Sequence, residues 1–138
     1  MHLTKSHRAY FKAAKAVSSL SDFKKYNIGC VAVYGHRIIS SGCNSLKTSP
    51  VQKKYNSYRF EGDLGLHTLH AEVECMIPLI DNKDIDFSRV YLYIHRQHKN
   101  GTLALAKPCP SCMKMIKEVG IKKIWYTTED GYACEYVN

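Results

Sequence analysis

Hydrophobic positions along this 138-residue chain recur with two periods, one helical and one extended. Apolar residues in 5–20 return at helical spacing between basic residues. Residues 28–34 carry β-branched and small residues, and 89–97 alternate as strands do. The predicted elements are helices at 5–20, 70–80 and 108–119, and strands at 28–34, 37–41, 89–97, 123–128 and 132–137. This α-β-β-α-β-α-β-β order predicts an α/β fold of three α/β/α layers, with a mixed sheet of about five strands and an antiparallel C-terminal hairpin.

Turn-forming residues separate these elements. Gly35-His36 predicts a tight turn between the first two strands, and Gly120 predicts the C-cap of the 108–119 helix. Pro78 should kink or end the 70–80 helix early. Asn100-Gly101 is a strong hairpin signal, so residues 102–106 are expected to return as an added strand. The polar segment 45–66 predicts a long loop with some local structure.

The bulk properties predict a single domain over residues 1–138 that works in the cytosol. No apolar run is long enough to cross a membrane, and the N-terminus lacks the pattern of a secretory signal. Without a signal, the six cysteines are better explained as reduced thiols, some of them binding metal, than as disulfides. The formal charge of +8 favours a polyanionic partner or a phosphorylated substrate.

One pair of segments carries metal chemistry. His70, Ala71 and Glu72 are followed by a P-C-x-x-C segment that contains Cys109 and Cys112. Two cysteines three residues apart at a helix start share one face, and the helix N-terminus favours the thiolate that binds metal. With His70 they give three ligands for Zn²⁺, which leaves a tetrahedral position for water.

Glu72 is predicted to be the catalytic acid and base. It lies two residues after His70, so it does not share the ligand face and is better placed to move the proton of the reacting water. Two alternatives remain. The zinc site could be structural and closed by Cys75, His67, Cys30 or Cys43, or the spacing could be chance. A closed site gives no reason for Glu72.

These residues match the H-x-E…P-C-x-x-C signature of zinc-dependent nucleobase deaminases, and the chain resembles the cytidine deaminase-like superfamily over nearly its whole length. The resemblance implies that Asn44, in a Gly-Cys-Asn element, contacts the sugar or base of the substrate. It also implies contacts from the backbone N–H groups near Ala71 and Cys109. Members of the superfamily often assemble, so a homo-oligomer stays open.

Two departures from the superfamily pattern leave the substrate open. The interval between Glu72 and Pro108 is longer than is typical of tRNA adenosine deaminases or APOBEC-like enzymes, and the Asn-Gly hairpin accounts for the excess. The second departure is the predicted C-terminal hairpin, which resembles the ending of the free-cytidine, blasticidin and toxin-type branches. The free-cytidine branch, however, usually has Cys where His70 stands.

The segment 47–60 is the predicted substrate-contacting loop, with Lys47, Tyr55 and Arg59 as candidate contacts. It interleaves cationic and aromatic residues, as single-stranded nucleic acid requires: Lys47, Lys53, Lys54, Tyr55, Tyr58, Arg59 and Phe60. A second basic tip spans residues 95–99. The alternative is an ordinary solvated loop whose rings are anchored in the core.

Three functions remain open at this point. The chain could deaminate cytosine in a free nucleoside or nucleotide. It could deaminate cytosine, or adenine, in single-stranded DNA, RNA or tRNA. It could also be a non-catalytic zinc-binding nucleic-acid module, against which the presence of Glu72 argues. No membrane partner is expected.

Overall fold

The order of helices and strands confirms the predicted alternation and adds three short elements before the third helix. The computed structural model describes residues 2–56 and 68–137. The helices are α1 (Lys5–Ser18), α2 (Pro50–Tyr55), α3 (Ala71–Met76) and α4 (Pro110–Val119). The strands are β1 (Asn27–Tyr34), β2 (Arg37–Cys43), β3 (Ser45–Thr48), β4 (Thr68–Leu69), β5 (Tyr91–Gln97), β6 (Lys123–Thr128) and β7 (Gly131–Tyr136).

The main sheet has five strands in the order β2-β1-β5-β6-β7 and is mixed, as predicted. β5 and β6 are parallel, and the other neighbours are antiparallel, including the C-terminal pair β6–β7. The register places Val31 beside Tyr93 and Tyr93 beside Trp125 on one face. β5 is the central strand of the sheet, and its residues 92–95 are buried because helices cover both faces there.

Helices cover both faces of this sheet, which confirms the three-layer architecture. Helix α1 begins with a capping box between Thr4 and His7 and packs Phe11 and Ala14 against the Val31–Tyr93–Trp125 face. Helices α3 and α4 pack on the opposite face, where Leu92, Ile94 and Ile124 contribute to the larger core.

Gly42 explains how closely α3 approaches the sheet. A Cβ at this position would clash with the backbone nitrogen of Cys75 and the carbonyl oxygen of Ala71. Only glycine permits this approach without a shift of the helix. The first turn of α3, which carries the H-A-E segment, is therefore set directly against β2.

The segment predicted as a long loop contains regular structure in its described part. Strands β3 and β4 form a small antiparallel sheet, and α2 starts at Pro50 behind the N-cap Ser49. Residues 57–67 lie outside the described residues.

The predicted strand at 102–106 is wrong. The chain does turn at Asn100-Gly101, but it makes only an isolated bridge between Gln97 and Leu103. β1 pairs with β5 over residues 91–97 and β6 pairs with it over residues 91–94, so only the last residues of β5 have an open edge for the returning segment. The segment instead crosses the end of β6. There the backbone carbonyl of Thr127 accepts from the Ala106 N–H, and the Thr127 hydroxyl donates to the Ala104 carbonyl.

The two helices that carry the metal motif are shorter than predicted. Helix α3 ends at Met76, two residues before Pro78, as the proline suggested. Helix α4 begins at Pro110 and ends at Gly120, whose φ of 101° makes it the left-handed C-cap that was predicted. No helix in the described part of the chain has the length and apolar character needed to span a bilayer.

Candidate metal centre and active site

His70 occupies the N-cap position of α3, directly after β4. Its side chain makes no cap hydrogen bond and is therefore available for other contacts. Its backbone N–H donates to Oε1 of Gln52 at 3.0 Å, and Gln52 is fully buried with its Nε2 donating to Asn56 at 2.8 Å. Helix α2 therefore fixes the start of α3 through one buried amide side chain.

Cys109 and Cys112 lie at the start of α4, as the spacing predicted. Cys109 is the N-cap and Pro110 opens the helix, where a missing N–H loses no helical bond. Nδ1 of His70 lies 3.5 Å from Sγ of Cys109 and 3.3 Å from Sγ of Cys112. Two helix N-termini from distant parts of the chain thus bring one nitrogen and two sulfur atoms together.

These distances fit a tetrahedral zinc ion. With zinc–sulfur bonds of about 2.3 Å and zinc–nitrogen bonds of about 2.0 Å, tetrahedral geometry separates sulfur from nitrogen by about 3.5 Å. All three ligand atoms lie within 4.8 Å of one another. The donor set and its spacing therefore suit Zn²⁺ without rearrangement.

The candidate fourth ligands do not join this group within residues 2–56 and 68–137. The only cluster of metal-ligating side chains found there contains His70, Cys109 and Cys112. Cys30, Cys43 and Cys75 are buried elsewhere as free thiols. His67 lies outside the described residues.

Hydrogen bonds from Cys112 and the neighbouring His70 favour a thiolate at Cys109. A hydrogen bond from Cys112, together with His70, lowers the pKa of the Cys109 thiol to about 3 in spite of its burial. The thiolate is the form that ligates metal.

Glu72 is a buried carboxyl group beside the three ligands. Its side chain is in the first turn of α3, and the residue is 5% exposed. Burial raises the pKa of Glu72 to about 7, while the neighbouring His70 opposes this rise and Cys109 adds to it. The charges of both ligands thus reach the Glu72 carboxyl group, which can hold a proton near neutral pH.

A cavity of about 170 Å³ opens beside these residues. One side of it, here called the metal wall, is formed by His70, Ala71, Glu72 and Cys109. The predicted contacts Ala71 and Cys109 therefore face the same space as the predicted catalytic residue.

The other side, here called the recognition wall, is formed by residues from four distant segments. They are Phe23, Tyr26, Asn44, Arg96 and Lys107. Asn44 is 4% exposed, and its amide accepts from the Ile28 N–H at 2.8 Å and donates to the Tyr26 carbonyl at 3.0 Å. The residue predicted to contact substrate therefore also fixes the backbone that carries Tyr26.

Arg96 and Tyr26 form a cationic and aromatic pair on this wall. The guanidinium carbon of Arg96 lies 4.7 Å from the centre of the Tyr26 ring, and the ring of Phe23 lies 4.8 Å from that of Tyr26. Thr127 links the end of β5 to the 104–106 segment, because its hydroxyl contacts the Arg96 backbone and donates to the Ala104 carbonyl. This bond places the segment before Lys107 along the cavity.

The predicted substrate loop does not form this wall in its described part. Tyr55 is 4% exposed, its hydroxyl donates to Glu118 at 2.7 Å, and Lys54 covers its ring at 5.1 Å. The stacking role predicted for Tyr55 is therefore wrong, because α2 packs on α4 and buries the ring. Lys47 is exposed on β3 and does not line the cavity. Arg59, with Tyr58 and Phe60, lies outside the described residues.

Sequence reasoning missed Phe23, Tyr26 and Gln52. Phe23-Lys24-Lys25-Tyr26 has the same mixture of cationic and aromatic residues that was noticed at 47–60, so composition could have pointed to it. No local signal identifies Gln52, because its role depends on the contact between α2 and the start of α3.

Solved structures with the same fold include a dCMP deaminase and cytidine deaminases. The dCMP deaminase of the cyanophage S-TIM5 in apo form matches with a TM-score of 0.61 and 24% identity, covering 92% of this chain and 86% of that one. The same enzyme in complex with dCMP and dUMP matches with 0.61 and 22%, covering 92% and 85%. The cytidine deaminase of Burkholderia pseudomallei matches with 0.64 and 15%, covering 98% and 94%. These matches establish the fold.

Sequence comparison shows, in addition to the fold, the family to which the chain belongs. A search of curated proteins gives no significant match. The sequence model described as the cytidine and deoxycytidylate deaminase zinc-binding region, however, matches residues 4–128, which include both helix starts of the metal wall and the whole recognition wall. The chain therefore belongs to the cytidine and deoxycytidylate deaminase family.

Proposed function

We propose that this protein is a zinc-dependent hydrolase that converts cytosine to uracil in a phosphate-bearing substrate, either a nucleotide or single-stranded nucleic acid. One observation carries this proposal. The ligand atoms of His70, Cys109 and Cys112 lie within 4.8 Å of one another, and two of these residues share a cavity wall with the buried carboxyl group of Glu72.

His70, Cys109 and Cys112 would hold the zinc ion. Two thiolates and a neutral imidazole are a common donor set for zinc, and three protein ligands are typical of catalytic rather than structural sites. When bound, zinc makes hydroxide available from water near neutral pH.

Glu72 would move the protons of the reaction. Its carboxylate takes a proton from the attacking water, whose oxygen bonds to C4 of the cytosine ring. The protonated carboxyl group then delivers this proton to N3 of the ring, and a second proton transfer releases the amino group as ammonia when the C4–N bond breaks. One water is consumed and one ammonia leaves, so the ring ends as uracil.

The recognition wall would hold the nucleotide. Asn44, Ala71 and Cys109 line the same cavity, and the Asn44 amide can make further hydrogen bonds beyond those to Ile28 and Tyr26. Arg96 and Lys107 supply positive charge to the same space. This charge supports a substrate that carries phosphate, and it agrees with the dCMP and dUMP bound by the related cyanophage enzyme.

The test is a substrate screen by mass spectrometry. Cytidine, dCMP, single-stranded DNA and single-stranded RNA are incubated with the zinc-loaded protein, with adenine-containing counterparts beside each. We expect a gain of about one dalton in cytosine substrates, as the exchange of an amino group for oxygen requires. A gain confined to adenine, or no gain in any substrate, would contradict the proposal.

Glu72→Gln gives the matched mechanistic test. This substitution keeps the size of the side chain but removes its ability to accept a proton, so kcat should fall by about 10²- to 10⁴-fold with zinc content unchanged. Glu74→Gln is the control, because Glu74 only accepts a hydrogen bond from the Cys43 N–H and Gln can still accept it. Equal activity of the two variants would reject the role of Glu72.

A further inference from the structure

A second cavity, here called the basic groove, lies next to the catalytic cavity and has a volume of about 540 Å³. Its cationic lining comes from three separate elements: Lys15 on α1, Lys24 and Lys25 after α1, and Arg96, His98 and Lys99 at the end of β5. No aspartate or glutamate lines it within the described part of the chain. The two segments that carry most of this charge are far apart in sequence and meet only in the fold.

The charges of the groove are largely unneutralised. His98 contacts Glu129 at 3.1 Å, but among residues 2–56 and 68–137 no ion pair engages Lys15, Lys24, Lys25 or Lys99. Ion pairs elsewhere use other residues, such as Lys107 with Glu135 and Lys114 with Glu118. Several lysines held close together without counter-charges are a feature of surfaces that bind polyanions.

The groove shares two lining residues with the catalytic cavity. Tyr26 and Arg96 line both spaces, so the stacked pair that they form is the boundary between them. The segment 23–26 contributes to both spaces: Phe23 lines the catalytic cavity, whereas Lys24 and Lys25 line the groove. Rings therefore lie toward the reacting base and lysines lie along the path that leads away from it.

We propose that the basic groove binds the backbone phosphates of a single-stranded polynucleotide whose reacting nucleotide occupies the catalytic cavity. This inference rests on the proposed deaminase function and specifies its substrate class. A mononucleotide carries its phosphate next to the reacting nucleoside, where Arg96 and Lys107 already supply charge. The additional lysines lie beyond that position, where only a longer chain places phosphates.

The arrangement also fits a single strand rather than a duplex. The base must leave its stack to enter a cavity of this size, which a single strand permits without the cost of unpairing. Single-strand binders combine aromatic rings for the bases with a basic channel for the backbone, and the Phe23–Tyr26 segment provides both.

The experiment measures binding in a variant that cannot turn over. Glu72→Gln protein is titrated with a single-stranded DNA of about 12 nucleotides, one cytosine among thymines, and with the RNA equivalent, over a range of salt concentrations. The logarithm of the binding constant should fall linearly with the logarithm of salt concentration. Adding Lys24→Gln, Lys25→Gln and Lys99→Gln should make the magnitude of this slope smaller by about 2 and weaken binding at least about tenfold.

A matched control removes the same charge elsewhere. Lys83→Gln, Lys117→Gln and Lys122→Gln replace three exposed lysines that line neither the groove nor the catalytic cavity. We expect the control to retain nearly the parent slope. An equal change in both triple variants would overturn the proposal, because net charge rather than the groove would then explain binding. Competition by tripolyphosphate as strong as that by the oligonucleotide would also overturn it.

Turnover separates this inference from the proposed function. With Glu72 restored, the groove variant should lower the ratio of kcat/KM for the oligonucleotide to kcat/KM for dCMP by at least about tenfold, while the control keeps the ratio. A wild-type protein that deaminates dCMP but shows no effect of the groove lysines on oligonucleotides rejects the groove alone. Lysine-dependent binding without any turnover supports the groove and rejects the deaminase.

Discussion

The two walls of the catalytic cavity are built in different ways. The metal wall comes from two helix N-termini, and its chemistry depends on residues two or three positions apart in each. The recognition wall comes from the segment after α1, from the ends of two strands and from the 104–107 segment. Among its side chains, only Phe23 and Tyr26 are close in sequence.

This difference separates the chemistry proposed for the metal wall from the substrate selection proposed for the recognition wall. The proposed reaction needs one metal, one proton carrier and fixed geometry, which residues at short local spacing could supply. Substrate choice needs contacts with the sugar, the phosphate and any further nucleotides of the substrate. The residues that would make these contacts lie on separate segments, which can vary independently of one another. Changes in the metal wall should therefore alter kcat, whereas changes in the recognition wall should mainly alter KM.

The largest expected effect comes from removing one of the three candidate zinc ligands, two of which form part of the metal wall. Cys112→Ala deletes a fully buried thiol that lies 3.3 Å from the His70 imidazole. The protein should lose its zinc and essentially all turnover. It should also lose the stabilisation that a bound metal gives, about 4 kcal/mol when free zinc exceeds the dissociation constant a thousandfold. Elemental analysis, product assay and urea unfolding measure the three effects.

Cys134→Ala is the control for that variant. Cys134 lies on β7, away from the three ligands, so zinc content and kcat should stay at wild-type levels. A Cys112→Ala protein that retained stoichiometric zinc and turned over normally would show that the metal wall is not the reaction centre, and the contrast between the walls would fail.

The sequence was sufficient to predict the metal wall because its determinants are local. The H-A-E and P-C-x-x-C spacings place their side chains at helix starts, and Pro110 and Gly120 define the ends of α4 without reference to the rest of the fold. The strands of the main sheet were predicted for a similar reason. Their apolar periodicity and the Gly35-His36 turn, with φ of 58° and 64°, are properties of short segments.

The recognition wall could not be predicted in this way, because it depends on which segments meet. The aromatic and basic residues at 47–60 satisfied the same compositional pattern as Phe23–Tyr26, yet Tyr55 is buried against Glu118 while Tyr26 faces the cavity. The added strand at 102–106 failed for a related reason. A hairpin signal describes the turn alone, whereas a ladder requires a free sheet edge, and β6 already occupies that edge of β5 over residues 91–94.

A smaller effect is expected from the recognition wall. Asn44→Ala removes the side-chain acceptor of the Ile28 N–H and the donor to the Tyr26 carbonyl. Leaving such buried groups unmatched should lower the free energy of unfolding by about 2 kcal/mol. Displacement of Tyr26 and loss of the proposed substrate contact should raise KM by about tenfold with little change in kcat. Steady-state kinetics on dCMP and urea unfolding report the two effects.

Asn82→Ala provides the comparison for this variant. Asn82 only accepts a hydrogen bond from the Asp84 N–H in an exposed turn, so its loss should leave both kinetic constants unchanged. If Asn44→Ala lowered kcat and left KM unaltered, the separation of recognition from chemistry between the two walls would be wrong.

The smallest effect on activity should come from Gln52, which supports the metal wall without facing the cavity. Gln52→Met keeps a side chain of similar size but removes the acceptor of the His70 N–H. Because this contact orients a ligand rather than supplying one, zinc affinity should fall by about 10- to 100-fold while saturating zinc restores most of kcat. Zinc titration in a chelator buffer gives the affinity. Gln52→Glu retains an acceptor at the same position and should recover part of the lost affinity, even though it buries a carboxyl group. A merely structural role would lower stability equally in both variants and leave zinc affinity the same, which would remove Gln52 from the support of the metal wall.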